Sequence, residues 1–364
     1  MTKMCYHPWV GLDISPQGEF KPCCKIADSF AYNLVDYMAS PELAQLKQDF
    51  AQGILPSICK RCWDDEDSGL PSKRQLDWKY VFEETVPNLD DIKVLSFPFG
   101  NSCNLACRTC LGYYSSTWIT EDKKQGIQLY KHHKFYKDKE FLNQIKQISA
   151  GVKHVEFPGG EPFIAGVDEH LDFLNFLIEN NDPSGISLHY ITNATIFPKE
   201  EFWDRWAKFK NVDIQLSIDG TGNRYEYIRW PAKWADVEEN IKRYQEKTSI
   251  QLSISHTVSV FNVYYLPEFT KWCLQNRLGK PYIGLASYPN VYNIKVLPSH
   301  IKDKLAEKLS SFSLENVVQY MNSEDLSQEF PDTIDLINKL DQQRGQDFSA
   351  TFPEFTKFLE DSYA

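Results

Sequence analysis

An α/β fold built on a parallel sheet is predicted, and two observations predict it. Strand-like apolar runs stand at Lys93–Phe97, His154–Phe157, Ile186–Ile191, Val212–Ile218, Ile250–Val258 and Tyr282–Ala286. Amphipathic segments with helical spacing separate them, among them Glu169–Ile178, Trp234–Tyr244 and Leu266–Asn276. Strands alternating with helices pair in parallel through right-handed crossovers. Six such units suit an open doubly wound sheet or an incomplete barrel, and the pattern alone does not choose between them. In either, reactive groups collect at the carboxyl ends of the strands.

The alternating stretch, residues 91–298, divides the chain into three predicted domains. Residues 1–90 hold five of the nine cysteines, and residues 299–364 are patterned as helices throughout. In the last stretch Ser299 is placed to cap a helix beginning at His300, and Ile334, Leu336, Ile337 and Leu340 share one helical face.

Composition narrows the function. The 364 residues are 42% hydrophobic and 24% charged, as in a globular protein large enough for more than one domain. No run reaches the roughly 18 apolar residues of a membrane span. The start, Met1–Trp9, lacks the pattern of a signal peptide, so a cytoplasmic location is expected. The cytosol keeps thiols reduced, so nine cysteines there, eight of them within the first 110 residues, point to metal or redox chemistry rather than disulfides. A net charge of −11 disfavours nucleic acid. The basic run Lys131-His132-His133-Lys134, with Lys137 and Lys139, reads as a solvated helix face.

Directly after the first run of the middle stretch stands Cys103-Asn104-Leu105-Ala106-Cys107-Arg108-Thr109-Cys110. Three thiolates spaced Cys-x3-Cys-x2-Cys suit three irons of a cubane cluster. No fourth cysteine is near, and Cys273 sits in an apolar helical segment as a buried small hydrophobe. One iron is thereby left open, a mark of a catalytic site.

This spacing resembles the signature of the radical S-adenosylmethionine (SAM) superfamily, on the loop after the first strand of a partial (β/α)6 TIM-like barrel. The resemblance implies that SAM chelates the open iron. One electron then splits it into methionine and a 5′-deoxyadenosyl radical, which abstracts a substrate hydrogen atom. Gly159-Gly160-Glu161-Pro162 is similar to the family's GGEP segment, with the glycines admitting a ligand close to the backbone and Glu161 receiving the methionine ammonium. Thr192-Asn193 matches the family's Thr-Asn dipeptide, and a plain strand-end turn suits it equally. Ser217 and Arg229, in Ser217-Ile218-Asp219-Gly220 and Tyr227-Ile228-Arg229, are carried over as ribose and carboxylate contacts. Asp219 alternatively caps the next element. Thr109 departs from the bulky residue that commonly precedes the third cysteine.

The order Cys5-x12-Gly18-x4-Cys23…Cys59-x2-Cys62 resembles a SPASM or Twitch module, here preceding the barrel rather than following it. It implies an auxiliary 4Fe–4S cluster on Cys5, Cys23, Cys59 and Cys62, with Cys24 spare or exchanging roles with Cys23. Spacing alone equally describes a structural zinc site. The expected cofactors are therefore SAM and two 4Fe–4S clusters, with an electron donor such as flavodoxin or ferredoxin as partner. The expected function is oxidation or bond formation on a peptide or protein side chain. Oxidation or epimerisation of a carbohydrate-like small molecule is one alternative, and a non-catalytic iron–sulfur or zinc protein is another. His256, Tyr282, Tyr288 and Asp219 are further candidates to line the cavity.

Overall fold

The sheet begins earlier than the six predicted strands. The structure, a computed structural model, describes residues 4–81, 91–164 and 166–363. The first three residues of the Met1–Trp9 start and the predicted boundary at residue 90 lie outside them. Two compact units are present. One comprises Met1–Asn104, Leu111–Gln215 and Arg243–Leu252, and the other Leu105–Cys110, Leu216–Lys242 and Ser253–Ala364.

In the first unit the strands are β1 (Gly11–Ile14), β2 (Phe20–Lys21), β3 (Val94–Ser96), β4 (His154–Phe157), β5 (Ser187–Thr192) and the greater part of β6 (Asn211–Ser217), in the order β2-β1-β3-β4-β5-β6. β1 and β2 form an antiparallel hairpin, whereas β1–β3, β3–β4 and β4–β5 are parallel. The hairpin escaped the sequence reading because its strands are only four and two residues long, and Asp13 interrupts the apolar pattern. Each strand from β3 to β6 is added on the same edge, without the reversal of order that defines a doubly wound sheet. Right-handed crossovers then place the connecting helices on one face, as in a barrel-type succession.

Register sorts the side chains. Leu12, Leu95, Val155 and Leu188 align as an apolar row across β1, β3, β4 and β5. One residue along, and so on the opposite face, Asp13, Ser96, Glu156 and His189 align as a polar row. On the apolar side Phe97, Phe157, Phe173 and Tyr190 are completely buried. Buried His170, from the helix Val167–Asn180, bonds the Tyr190 hydroxyl at 3.0 Å there.

In the second unit β7 (Gln251–Val258, from Ser253 on) pairs in parallel with β8 (Tyr282–Leu285). The Ile218 amide, just past β6, donates to the Ser255 carbonyl at 2.9 Å. The helices Ser299–Ser310, Glu315–Asn322, Phe330–Arg344 and Pro353–Tyr363 bury Ile301, Leu305, Leu309, Val317, Ile337 and Phe355 in one core with Tyr227, Val258 and Phe261.

Three expectations are corrected. The helix after Pro298 starts at Ser299, with extended Pro298 in the cap position and no side-chain cap. In Phe330–Arg344 the buried face is Thr333, Ile337, Leu340 and Arg344, which leaves Ile334 37% exposed. The basic run is no helix: residues 127–134 have no regular structure. Among the described residues no helix is long and apolar enough to cross a membrane.

Candidate functional site

The predicted site residues fall into three clusters. The first lies at the carboxyl ends of β3, β4 and β5. Here Gly160 presses on the loop that carries Cys103: a Cβ at this position would run into the Ser102 carbonyl. The neighbouring Glu161 amide donates to that same carbonyl at 2.7 Å. The freedom of glycine thus brings two backbones together here. Glu161 is 3% exposed, and its carboxylate accepts from the Thr192 hydroxyl and the Asn193 amide, each at 2.8 Å. Asn193 reaches back with Nδ2, 3.0 Å from Asn104 Oδ1 and 3.8 Å from Cys103 Sγ. Its Oδ1 accepts from the Thr195 amide at 2.9 Å, a turn that sets Thr192-Asn193 against the cysteine loop. The Cys103 carbonyl accepts from Thr117 Oγ1 at 2.7 Å.

The second cluster, in the second unit, holds Cys107, Cys110, Asp219 and Arg229. Asp219 does not cap the following helix; its carboxylate pairs with Arg229 Nη2 at 2.8 Å and accepts from the Thr257 amide at 2.8 Å. Burial pushes the Cys107 thiol up, and the Arg229 cation pulls against that rise. Arg229 Nε is buried and has no hydrogen-bond partner among the described residues, a donor aimed at nothing in the chain itself. The loop Leu105–Cys110 is tied down by Ala106 N to Trp230 O and Arg108 N to Ile228 O, both 2.7 Å, and by Arg344 Nη2 to Ala106 O at 2.9 Å. Ser217 ends β6 half-buried. His256 leaves the cavity candidates: it stacks on Phe269 with ring centroids 4.3 Å apart and bonds the Ile218 carbonyl through Nδ1 at 2.9 Å. Tyr288 is 69% exposed. Cys273 is buried in its helix, its thiol pushed up to about 12 by burial.

The third cluster is a cavity in the amino-terminal region, lined by Cys5, Cys23, Cys59 and Cys62. The Gly18 turn (φ 81°) closes the β1–β2 hairpin and returns the chain to Cys23, while Cys59 and Cys62 flank the start of the helix Lys60–Asp67. The helix Pro41–Ala51, capped by Ser40, adds Leu46 and Phe50 to the wall. Burial pushes Cys5 and Cys59 up to about 12, so thiolates form there only with a cation to receive them. The backbone amides of His7 and Arg74 oppose the rise at Cys5 and Cys62. The Lys25 amide donates to Cys23 Sγ at 3.4 Å. Cys24 lies outside this cavity, on an exposed turn. A single zinc ion needs its sulfurs about 2.3 Å from one point. Among the described residues no group of three or more Cys, His, Asp or Glu converges to hold one ion.

Sequence reading missed the ionic network over the polar row. Lys73 Nζ lies 2.7 Å from Glu156 and 2.8 Å from Asp77, which His7 meets at 2.9 Å. His154 stands 3.4 Å from Glu156, and His189 2.8 Å from Asp213. The Lys73 ammonium holds the Glu156 carboxyl well below the usual carboxylate range despite its burial. The available signal was polar residues alternating along β4, where a parallel sheet is ordinarily apolar on both faces.

Comparison with known proteins bears on these clusters. Residues 97–276 match the family model described as Radical SAM superfamily. The chain is 27% identical over 180 residues to the cysteine-type anaerobic sulfatase-maturating enzyme of Clostridium novyi (strain NT), covering 47% of this chain and 46% of that one. It is 29% identical over 140 residues to the serine-type anaerobic sulfatase-maturating enzyme of Klebsiella aerogenes, covering 37% and 31%. These matches span less than half the length of either relative. Among solved structures, native anSMEcpe with bound AdoMet aligns at 18% identity and a TM-score of 0.47, over 64% of this chain and 63% of that one. Streptococcus suis SuiB bound to S-adenosylmethionine aligns at 14% identity and a TM-score of 0.40, over 84% and 67%.

Proposed function

This chain is a radical SAM superfamily member over residues 97–276, and from that premise we propose that it is an enzyme acting on a C–H bond of a peptide or protein side chain. Cys103, Cys107 and Cys110 would hold a 4Fe–4S cluster, and Cys5, Cys23, Cys59 and Cys62 an auxiliary one. With SAM bound and one electron supplied, such a centre provides hydrogen-atom abstraction from an unactivated C–H bond.

The observation that carries the reading is the joining of three strand-end loops at the first cysteine: Gly160 and Glu161 against Ser102, with Thr192 and Asn193 held by the Glu161 carboxylate. Glu161 and Asn193 would orient the amino-acid end of SAM. The orphan Nε of Arg229 would meet an anionic group beside Cys107 and Cys110, with Asp219 fixing the guanidinium. Ser217 would contact the ribose. The closed set of four cavity thiols suits electron transfer rather than substrate ligation. A peptide substrate is supported by the two curated relatives, whose names describe enzymes that mature sulfatases, themselves proteins.

The test is anaerobic reconstitution with dithionite and SAM. About eight irons per chain are expected for two cubanes, together with 5′-deoxyadenosine. Deuterium from a side-chain-labelled peptide should enter that product. A Cys103→Ala/Cys107→Ala/Cys110→Ala variant that still forms 5′-deoxyadenosine refutes the assignment, and zinc in place of iron at the amino-terminal cavity refutes the auxiliary cluster.

A further inference from the structure

We propose that the segment Lys123–Lys137 is the docking surface for an acidic one-electron carrier protein that delivers its electron at the Cys103 loop. This deepens the functional reading above, since it takes Cys103, Cys107 and Cys110 as ligands of a redox centre.

Charge singles the segment out. Its fifteen residues contain five lysines, two histidines and no acid, +5 with histidine neutral, in a chain whose net charge is −11. The remaining residues therefore carry −16. Lys123, Lys124, Lys131, His132, Lys134 and Lys137 are exposed. Among the described residues only Lys137 of the five lysines has a carboxylate within ion-pair reach, Glu169 at 4.0 Å. Lys134, His133 and Lys123 all act on the His132 ring, so these cations share one patch. Leu129, 76% exposed, gives the patch an apolar spot. Long-range charge steering with a small dry contact is the physics of a transient encounter, in which the partner must arrive quickly and leave again.

Position gives the surface its purpose. Residues 127–134 of the segment form an irregular strap bound to the cysteine loop on both sides of the three thiols. Before them, completely buried Asn101 donates from Nδ2 to the Lys131 carbonyl at 2.8 Å and accepts from the His133 amide at 2.9 Å. Ser102 Oγ meets His132 Nε2 at 2.7 Å. After them, Tyr113 packs edge-on against Tyr130 of the strap at 5.9 Å. The exposed His132 ring is thus one hydrogen bond from Ser102, the residue covalently preceding Cys103. An electron entering at the strap has a short bonded route to the first thiol. The carrier, a reduced flavin or iron–sulfur protein, is oxidised by one electron and the centre is reduced by one; no bond forms or breaks at the patch.

The test uses the full reconstituted chain, a purified acidic flavodoxin as probe, and the double charge reversal Lys131→Glu/Lys134→Glu, which touches no proposed ligand. Flavodoxin binding to the wild type should weaken steeply between about 50 and about 300 mM salt. The double variant should bind at least about tenfold more weakly, with a flatter salt dependence. Flavodoxin-driven 5′-deoxyadenosine formation should fall in parallel, while the dithionite-driven rate stays within about twofold of wild type. The proposal is overturned if flavodoxin binding is unchanged, or if both reductants lose equally. It is also overturned if a short single-stranded RNA binds the patch at about 150 mM salt and competes with flavodoxin. Failure of the wild type to cleave SAM with dithionite counts against the functional reading instead, and the binding measurement still decides the surface.

Discussion

The cysteine loop is anchored to the carboxyl-terminal helices by one carboxylate, and replacing Asp341 with Asn measures that anchor. Asp341 Oδ1 receives Arg108 Nη2 and the Tyr227 hydroxyl, the latter at 2.7 Å, while Oδ2 receives the Phe348 amide at 2.7 Å. The Arg108 side chain is completely buried and the Asp341 side chain 13% exposed. Asn preserves shape and removes the charge, which strands the guanidinium. A buried charge that loses its partner costs about 3–5 kcal/mol. Three contacts survive to soften the loss: Gln346 Oε1 at 2.9 Å, the Tyr227 carbonyl at 3.1 Å, and the Tyr227 ring 3.7 Å beneath the guanidinium. The lower end, about 3 kcal/mol, is therefore expected. It would be read as a lower urea midpoint at unchanged slope, followed by circular dichroism. The Arg108→Met/Asp341→Leu pair should lose less than the sum of its two single variants, because no charge is then left unpaired and only the Tyr227 hydroxyl and the Phe348 amide lose their acceptor. A loss below about 0.5 kcal/mol in Asp341→Asn, the range of an ordinary surface change, refutes the reasoning. Simple additivity in the pair does so too.

Three further outcomes follow from the same geometry. Gly160→Ala pushes a methyl group into the Ser102 carbonyl, and the displaced loop should cost about a hundredfold in 5′-deoxyadenosine formation, with the circular dichroism spectrum retained. Lys73→Met leaves Glu156 and Asp77 buried without their shared cation and should destabilise by about 3–5 kcal/mol in urea. Both carboxyls are held below their usual range in the folded protein. Their stabilisation is complete above the unfolded carboxylate value of about 4 and is lost as pH falls through the depressed folded values. The wild-type urea midpoint should accordingly drop more between about pH 5 and about pH 3 than that of Lys73→Met; equal drops would show that Lys73 does not set those values. Cys24→Ala should keep about eight irons per chain after reconstitution and Cys23→Ala about four, and the reverse order would move the ligand to Cys24.

What the sequence made legible was whatever rests on local period. All six strands of the middle stretch were readable because each is a run of three to eight residues with apolar character, and their helical partners because their faces repeat. The grouping of Cys5, Cys23, Cys59 and Cys62 around one cavity was readable from spacing, with Gly18 as the turn between them. What was not legible depends on contacts between distant segments. Glu161 reads as an acid after a strand, and nothing in its own segment announces that its carboxylate accepts from Thr192 and Asn193, some thirty positions on. Arg108 reads as one residue among the cysteines, yet its counter-ion lies 233 positions away. The basic strap reads as a helix face because Lys and His are compatible with helix, and nothing in its own pattern announces the Asn101 and Ser102 contacts that hold it in place.

The polar row explains how a cysteine region and a parallel sheet become one structure. A parallel sheet covered on both faces has no use for Asp13, Ser96, Glu156 and His189 in register, since each buried polar group must find a partner or be costly. His189 is met from within the sheet, by Asp213 of β6, but the partner of Glu156 comes from outside it: Lys73, with its neighbour Asp77, lies on the helix Lys73–Val81, which follows the second pair of cavity cysteines. The hairpin from the same region supplies β1 and β2 to the sheet edge, burying Leu12 and Ile14 beside β3. Backbone pairing fixes the position of the hairpin along the sheet, and the ion pairs fix the helix above it. Hydrophobic contact alone tolerates sliding, because it is non-directional; a hydrogen-bonded ladder and a buried lysine between two carboxylates do not. The four thiols of the amino-terminal cavity are therefore held at a set place in the frame that presents Cys103, Glu161 and Asn193, and a region contributing only apolar packing would not hold them there.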